Sequence, residues 1–465
     1  MARIGLPDFR DRASSPGTQL SRSQIASPRD NRDRSKRVAP DLGRQSPDTS
    51  NEGLSVWVYA LVISAFLPWM FTIGTVVVSP YKLVLLLITV PSIIALITRR
   101  PGRIILPDVL VFFFCIWAAA GLVFNHGLAT SAQAAGVLFL ETMGSYAVAR
   151  NYIRSPSQFR RLAILLFWIM VVLLPLAIAE GISGSAISLE LGAKILPTHP
   201  IMPVLHRWGL KRVQGVFEHP ILFGVTCGGA LSLIVMVAGY HLKPARRFWM
   251  AIVAVATGGL SLSAGPITAM IAQIALMLFN YVLRSYKSRW TILGTLVLGM
   301  YLFISVMSNQ SAPAFFISRF AFDEGSAYYR ILIWNFGTSS VANHFWFGVG
   351  FNRWDRPEWM PPSIDMFWLY NAIIYGLPAA LLMAGAFLSS LILVGKATAH
   401  SERVKTFKLA YMFTMAGYFT VGWTVHFWGG TYVLFMFLLG SGCWIAHYED
   451  AIGKEPSKRK STATL

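Results

Sequence analysis

Apolar residues run along this chain in long blocks broken by short polar connectors. Most blocks hold about 18–25 residues, enough for a helix to cross the hydrocarbon core of a bilayer. Few of them alternate with period two, which argues against a β-barrel. Twelve blocks fall near residues 54–78, 81–98, 105–124, 133–150, 161–180, 219–240, 248–263, 266–283, 290–308, 366–395, 404–424 and 428–448. The pattern predicts an all-α, polytopic integral membrane protein of about twelve transmembrane helices. Two neighbouring pairs meet at very tight turns, "SPYK" and "SAGP".

The connectors sharpen this picture. Every second one is basic: "RRPGR" (99–103), "RNYIRSPSQFRR" (150–161), "HLKPARR" (241–247), "RSYKSR" (284–289), "KATAHSERVKTFK" (396–408) and "KEPSKRK" (454–460). Basic connectors stay on the cytoplasmic side, so twelve spans with both termini cytoplasmic are expected. The other connectors are short and nearly uncharged, except for residues 181–218 and 309–365. These two face the opposite side, the second between helices 9 and 10, and both are rich in Trp, Phe and Pro. Long loops of this kind are functional or disordered; the aromatic content favours ordered, partly buried segments. Residues 1–53 read as a disordered basic cytoplasmic tail, and 449–465 as a second tail. No internal repeat is visible, which weakens an inverted-repeat transporter.

Composition agrees. Of 465 residues, 55% are hydrophobic and 13% charged, and the mean hydropathy is +0.54, too apolar for a soluble domain. A net charge of +19 would suit nucleic acid, but its confinement to connectors marks topology control instead. Cys115, Cys227 and Cys443 each lie inside an apolar block, spaced for neither a metal site nor a disulfide framework.

Two stretches carry candidate chemistry. "KRVQGVFEHPILFG" (211–224) places charge at the mouth of the sixth span. Pro220 suits a first helical turn, and helix N-termini attract anions. Arg207, Lys211 and Arg212 just upstream could hold a phosphate or pyrophosphate. A basic loop on lipid headgroups, with His219 as a local cap, explains the same residues. The second stretch runs from "YYRILIW" (328–334), which carries Arg330, through the glycine turn "FGVGF" (347–351) to "RWDRPEWMPPSID" (353–365). Arg353, Asp355, Arg356, Glu358 and Asp365 stand there among Trp354 and Trp359. Aromatics beside carboxylates suit sugar rings; an interfacial aromatic belt with surface ion pairs is the alternative. Asp365, at the start of the tenth span, is either an N-terminal cap or a general base. It shares a helical face with Trp368 and Leu369. Glu141, Glu180, His426 and Asn371 lie in or near spans, where structural hydrogen bonds between helices compete with functional roles.

Over residues 54–448 the chain resembles the O-antigen ligase and Wzy-type polysaccharide polymerase superfamily. The resemblance rests on the span count, the long loop before the last three spans, and three patterns in order. "RVQGVFEHPILFG" is similar to Arg-x-x-Gly-x-x-x-x-Pro, and "YRILIWNFG…HFWFGVGF" to Arg-x-x-x-Trp…Pro-x-x-Gly-x-Gly. "SIDMFWLYNAIIYGLPA" is similar to His-Asn-x-x-Leu…Gly-x-x-Gly. Ligases carry His-Asn where this chain has Asp365-Met366, and many members carry an arginine where "SLSAGP" has Ala264. The last pattern looks more like exopolysaccharide and capsule polymerases than ligases.

The resemblance implies a metal-independent inverting glycosyltransferase in the bacterial inner membrane, with no cofactor. Its substrate would be an oligosaccharide linked to undecaprenyl diphosphate, met at the periplasmic face, and its product a longer exopolysaccharide chain. Arg212 and Arg330 would face the diphosphate, helped by Lys211 and Arg207. Asp365 would take the acceptor proton, with His219 as the rival base. Trp354, Trp359 and Trp368, with Arg353, would position sugars. Chain-length regulators and export proteins are the expected partners besides the lipid bilayer; nucleic acid is not. The alternatives are a ligase passing finished glycan to lipid A core or protein, and a transporter or flippase of the same pathway.

Overall fold

The computed structural model describes residues 53–74, 76–309, 312–319, 324–399 and 401–448. The tails read at 1–53 and 449–465 lie outside the described residues, apart from Gly53. Of the described residues about 71% are helical, with almost no sheet among them. Among the described residues eight helical segments are long and apolar enough to cross a membrane: Pro80–Ile97, Leu106–Tyr152, Pro156–Ser183, Pro220–Ala238, Ala264–Val282, Arg289–Met307, Leu377–Lys396 and Gly429–Ala446.

The difference from twelve blocks has local causes. The first block is helical only over α1 (Val56–Ser64), about 14 Å long against a core of about 30 Å. Beyond Pro68 the chain turns into a two-stranded antiparallel hairpin, β1 (Phe71–Ile73) and β2 (Val76–Val78), as β-branched residues favour. Pro80 then occupies the first turn of α2 (Pro80–Ile97). The third and fourth blocks share one helical run, α3 (Leu106–Phe139), a π-helical stretch (Leu140–Gly144) and α4 (Ser145–Tyr152). They are separated by a break at Gly127, whose backbone (φ 75°, ψ 163°) leaves the helical region.

From there α5 (Pro156–Ser183) and the short α6 (Ile187–Ala193) lead to α7 (Pro220–Gly229), which continues as a π-helical stretch to Ala238. Next come α8 (Pro244–Gly259), α9 (Ala264–Val282) and α10 (Arg289–Met307). With 16 residues, α8 is short for a span. Among its described residues the segment 309–365 holds α11 (Ala312–Arg319) and α12 (Glu324–Asn343). The last helices are α13 (Phe367–Tyr375), α14 (Leu377–Lys396), α15 (Glu402–Val421) and α16 (Gly429–Ser441). The first turns of α15 carry Glu402, Arg403, Lys405 and Lys408, which makes it too polar to count with the eight.

Burial separates inner from outer helices. Every residue of α16 from Gly430 to Ser441 is buried, and the Pro220–Ala238 run is nearly so. Neighbours cover these two on all sides, so they form the axis of the bundle. At the other extreme, α10 buries none of its residues. The helices are tied together by a buried ion pair, Arg150 Nε to Asp108 Oδ1 at 2.9 Å. The same oxygen accepts from the Tyr146 hydroxyl at 2.7 Å, and Asp108 Oδ2 accepts from the Ile105 amide at 3.0 Å. A smaller apolar core, including Ile333, Val349, Trp354, Met360 and Ile364, packs the loop after α12 onto α12 and α13.

Candidate functional site: an arginine-lined cavity

Several of the predicted residues meet at one cavity of about 100 Å³, lined by Arg207, Arg212, Ile221, Ser263, Ala264, Gly265, Ser326, Tyr329, Arg330, Asp365 and Val425. These come from far-separated parts of the chain, and each part is held by a traceable contact.

The strip 207–213 is fastened along the turn between α8 and α9. Arg207 Nη1 donates to Leu262 O at 2.8 Å, Arg212 Nη2 to Ser263 Oγ at 2.9 Å, and the Val213 amide to Leu260 O at 3.1 Å. Ser263, Ala264 and Gly265 begin α9, and the first amides of a helix have no partner within it. Gly265 is required by close approach: a Cβ there would lie 2.9 Å from Val425 Cγ2 and 3.0 Å from Thr424 Oγ1. The Phe367 amide donates to Val425 O at 3.1 Å, tying the start of α13 to the same wall.

The opposite wall is α12. Arg330 is buried there. The Tyr329 hydroxyl donates to Pro361 O at 3.0 Å and Ser363 O at 3.1 Å, which pins the segment leading to Asp365. Ser363 Oγ donates to Asp365 Oδ1. Burial and then the Asp365 charge raise the Tyr329 phenol above its ordinary range, so it stays protonated. The lining carries three guanidinium groups and one carboxylate. With the positive end of α9 added, the cavity suits an anion with several oxygens.

The structure redistributes the sequence expectations. The helix whose N-terminus opens into the cavity is α9 as well as α7. At α7 the Ile221 amide is already occupied, donating to His219 Nδ1 at 3.1 Å, so His219 is the cap. Burial, then the neighbouring Arg212 charge, pushes His219 down to about 4, leaving it neutral at physiological pH. Asp365 is not a helix cap: α13 starts two residues later, with Met366 in the extended N-cap position. Lys211 is buried outside the cavity, its amide donating to Gly181 O at 3.1 Å.

The aromatic residues also go elsewhere. Trp354 is 4% exposed and donates to Pro362 O at 3.0 Å, as part of the loop core. Trp368 packs against Phe367, Phe387 and Phe419, and donates to Phe419 O at 3.1 Å. Trp359 is exposed. Arg353 makes a surface pair with Glu358 at 3.5 Å. Sequence reasoning missed Tyr329 and the Ser263–Gly265 strip. "SLSAGP" did carry a usable signal, small residues and a proline opening a helix, but its place beside Arg212 depends on tertiary packing.

The sequence matches no protein-family model, and a comparison with curated proteins returns no match either.

Proposed function

We propose that this chain is a polymerase of exopolysaccharide repeat units, a metal-independent glycosyltransferase at the periplasmic face of a bacterial inner membrane. It would move glycan from undecaprenyl diphosphate to a sugar hydroxyl of another lipid-linked repeat. The observation that carries this reading is the convergence of Arg207, Arg212 and Arg330 with the first turn of α9 at one cavity. Charge builds on the diphosphate as the glycosidic carbon–oxygen bond breaks. Fixed guanidinium groups and helix amides stabilise such a developing anion better than the ground state. Arg212, held by Ser263, and Arg330, buried on α12, are the main phosphate holders; Arg207 borders them. Asp365 lines the same cavity, its carboxylate accepting from Ser363.

Purified full-length protein in proteoliposomes should lengthen lipid-linked repeats extracted from a strain lacking it, without added metal. Arg212→Ala should lower the elongation rate about 100-fold or more, the scale of losing one charge-stabilising group. Full activity in that variant would remove Arg212 from the reaction. Transport of the lipid-linked glycan across the vesicle wall without elongation would favour a flippase instead.

A further inference from the structure

A second group of ionisable side chains stands beside the α7 N-terminus but outside the arginine cavity. It is assembled from four parts of the chain: Tyr81 and Lys82 in the first turn of α2, Glu141 in the π-helical stretch, His199, and Glu218 just before α7. The Tyr81 hydroxyl donates to Glu141 Oε1 at 3.2 Å, and Lys82 Nζ lies 3.7 Å from the same oxygen. His199 Nε2 lies 3.7 Å from Glu218 Oε1. Lys82 thus offsets Glu141, and among the described residues Glu218 remains as the acid without a lysine or arginine at contact distance. Its Oε2 is shielded from solvent and has no hydrogen-bond partner among the described residues. A buried carboxylate oxygen left unpaired is costly, and such exceptions need a reason.

The surroundings of Glu218 are built for it and leave it reachable. Gly429 has φ 58°, and a Cβ there would collide with Glu218 Oε1, so glycine makes room for the carboxylate. The Glu218 side chain keeps 21% exposure. Next to Gly429, Trp428 is 36% exposed. Its ring stacks on His426 at 5.8 Å, which stacks on Tyr370 at 3.7 Å. Its other neighbour is His219, at 6.4 Å. This is a rigid aromatic surface with an open end beside an unpaired carboxylate.

A displacement that inverts a sugar carbon brings the attacking oxygen to the face opposite the departing group. The group that takes the attacking proton therefore stands away from the residues holding the diphosphate. Asp365 shares the cavity of the arginines, and His219 uses Nδ1 to cap α7. We propose that Glu218 receives the proton of the attacking glycan hydroxyl, with Trp428 lying against the apolar face of that acceptor sugar. This rests on the glycan-transfer reading above. In the step, the acceptor oxygen bonds to the sugar carbon as the bond from that carbon to the diphosphate oxygen breaks. The bonding pair leaves with the diphosphate, and the hydroxyl proton moves to the partly exposed Glu218 carboxylate.

Burial pushes the Glu218 carboxyl up to about 7; Glu141 adds to the rise, and Lys82 and a backbone amide oppose it. The facing histidine, His199, is pushed down to about 4 by burial and then by Lys82, and stays neutral through this range. A base must be ionised, so activity should rise with pH through about 7. Removing the Lys82 cation raises the carboxyl further and moves that limb to higher pH; removing the Glu141 charge moves it lower.

The test uses full-length protein in proteoliposomes with extracted lipid-linked repeats, and measures elongation against pH and inorganic pyrophosphate binding separately. Glu218→Gln should cut elongation about 100-fold or more, abolish the rise near pH 7, and leave pyrophosphate binding unchanged. Trp428→Ala should raise the KM for acceptor several-fold at an intact pH profile, and Lys82→Met should shift the limb upward. Unchanged elongation and an unchanged limb in Glu218→Gln, while Arg212→Ala is inactive, would overturn this assignment and leave the transfer reading standing. No elongation by the wild-type chain would overturn both. Loss of pyrophosphate binding in Glu218→Gln would also overturn it, by making Glu218 part of the fold of the arginine cavity.

Discussion

Individual residues do different work from neighbours of the same chemical type. Arg212 and Arg353 are both arginines on loops, yet one is fixed by Ser263 inside a cavity and the other pairs with Glu358 at the surface. Replacing Arg353 by Ala should change elongation less than two-fold, since exposed pairs contribute little. Arg212→Lys should fail to restore full pyrophosphate binding, because lysine keeps the charge but loses the planar fork that reaches Ser263 and a phosphate together. Glu218 adds a stability signature that is independent of activity. Its carboxyl binds a proton more tightly in the folded chain than in an unfolded one, where an ordinary value near 4.5 applies. The native state therefore loses stability as pH rises from about 4.5 through about 7. The Tm of the wild type in detergent should fall relative to Glu218→Gln across that window, and equal slopes would contradict the assignment. That Arg212 would line a cavity and Arg353 the surface was not legible in the local sequence, because "KRV" and "NRW" differ in nothing local. Arg330 was more legible, since "YYRILIW" has helical spacing and the resemblance turned Arg330 toward the diphosphate.

At the scale of elements, the site depends on segments being held against one another. The Tyr329 hydroxyl bonds two carbonyls, of Pro361 and Ser363, and so fixes the approach to Asp365 from α12. Tyr329→Phe should cost about 1–2 kcal/mol of stability and slow elongation several-fold, measured by Tm and by product formation. The Asp108–Arg150 pair ties the start of α3 to α4 with both side chains buried. Breaking it with Asp108→Ala should destabilise by about 3–5 kcal/mol, and a double replacement by apolar residues should cost less. The apolar blocks made the long helices legible. They concealed the ends: the hairpin after α1, the break at Gly127 and the late start of α13 each depend on one or two residues that a hydropathy pattern averages away. Asp365 was therefore expected at a helix cap, whereas the helix begins two residues on and leaves the carboxylate turned to Ser363.

For the whole molecule, two buried helical runs form an axis and less buried helices surround it. Helix α10 lies at the edge, with every residue at least partly exposed. Apolar surface on that scale belongs in lipid. Leu298→Arg, near the middle of α10, should cost about 2.5–3.5 kcal/mol of insertion and lower the amount of protein recovered in membranes. The number of spanning helices was less legible than the class. Length and polarity remove the first block, α8 and α15 from a strict count, while two blocks join across Gly127. Arg207, Arg212, Arg330 and Asp365, singled out from two regions of the sequence over 100 residues apart, line one cavity. The central claim is that this cavity serves the joining of repeat units. The most direct measurement is the size distribution of surface and lipid-linked glycan in a strain deleted for this chain, with and without the wild-type copy restored. Single repeat units that return to long chains on restoration are the predicted result. Long polymer left unattached in the deletion strain, or glycan of unchanged length, would contradict it.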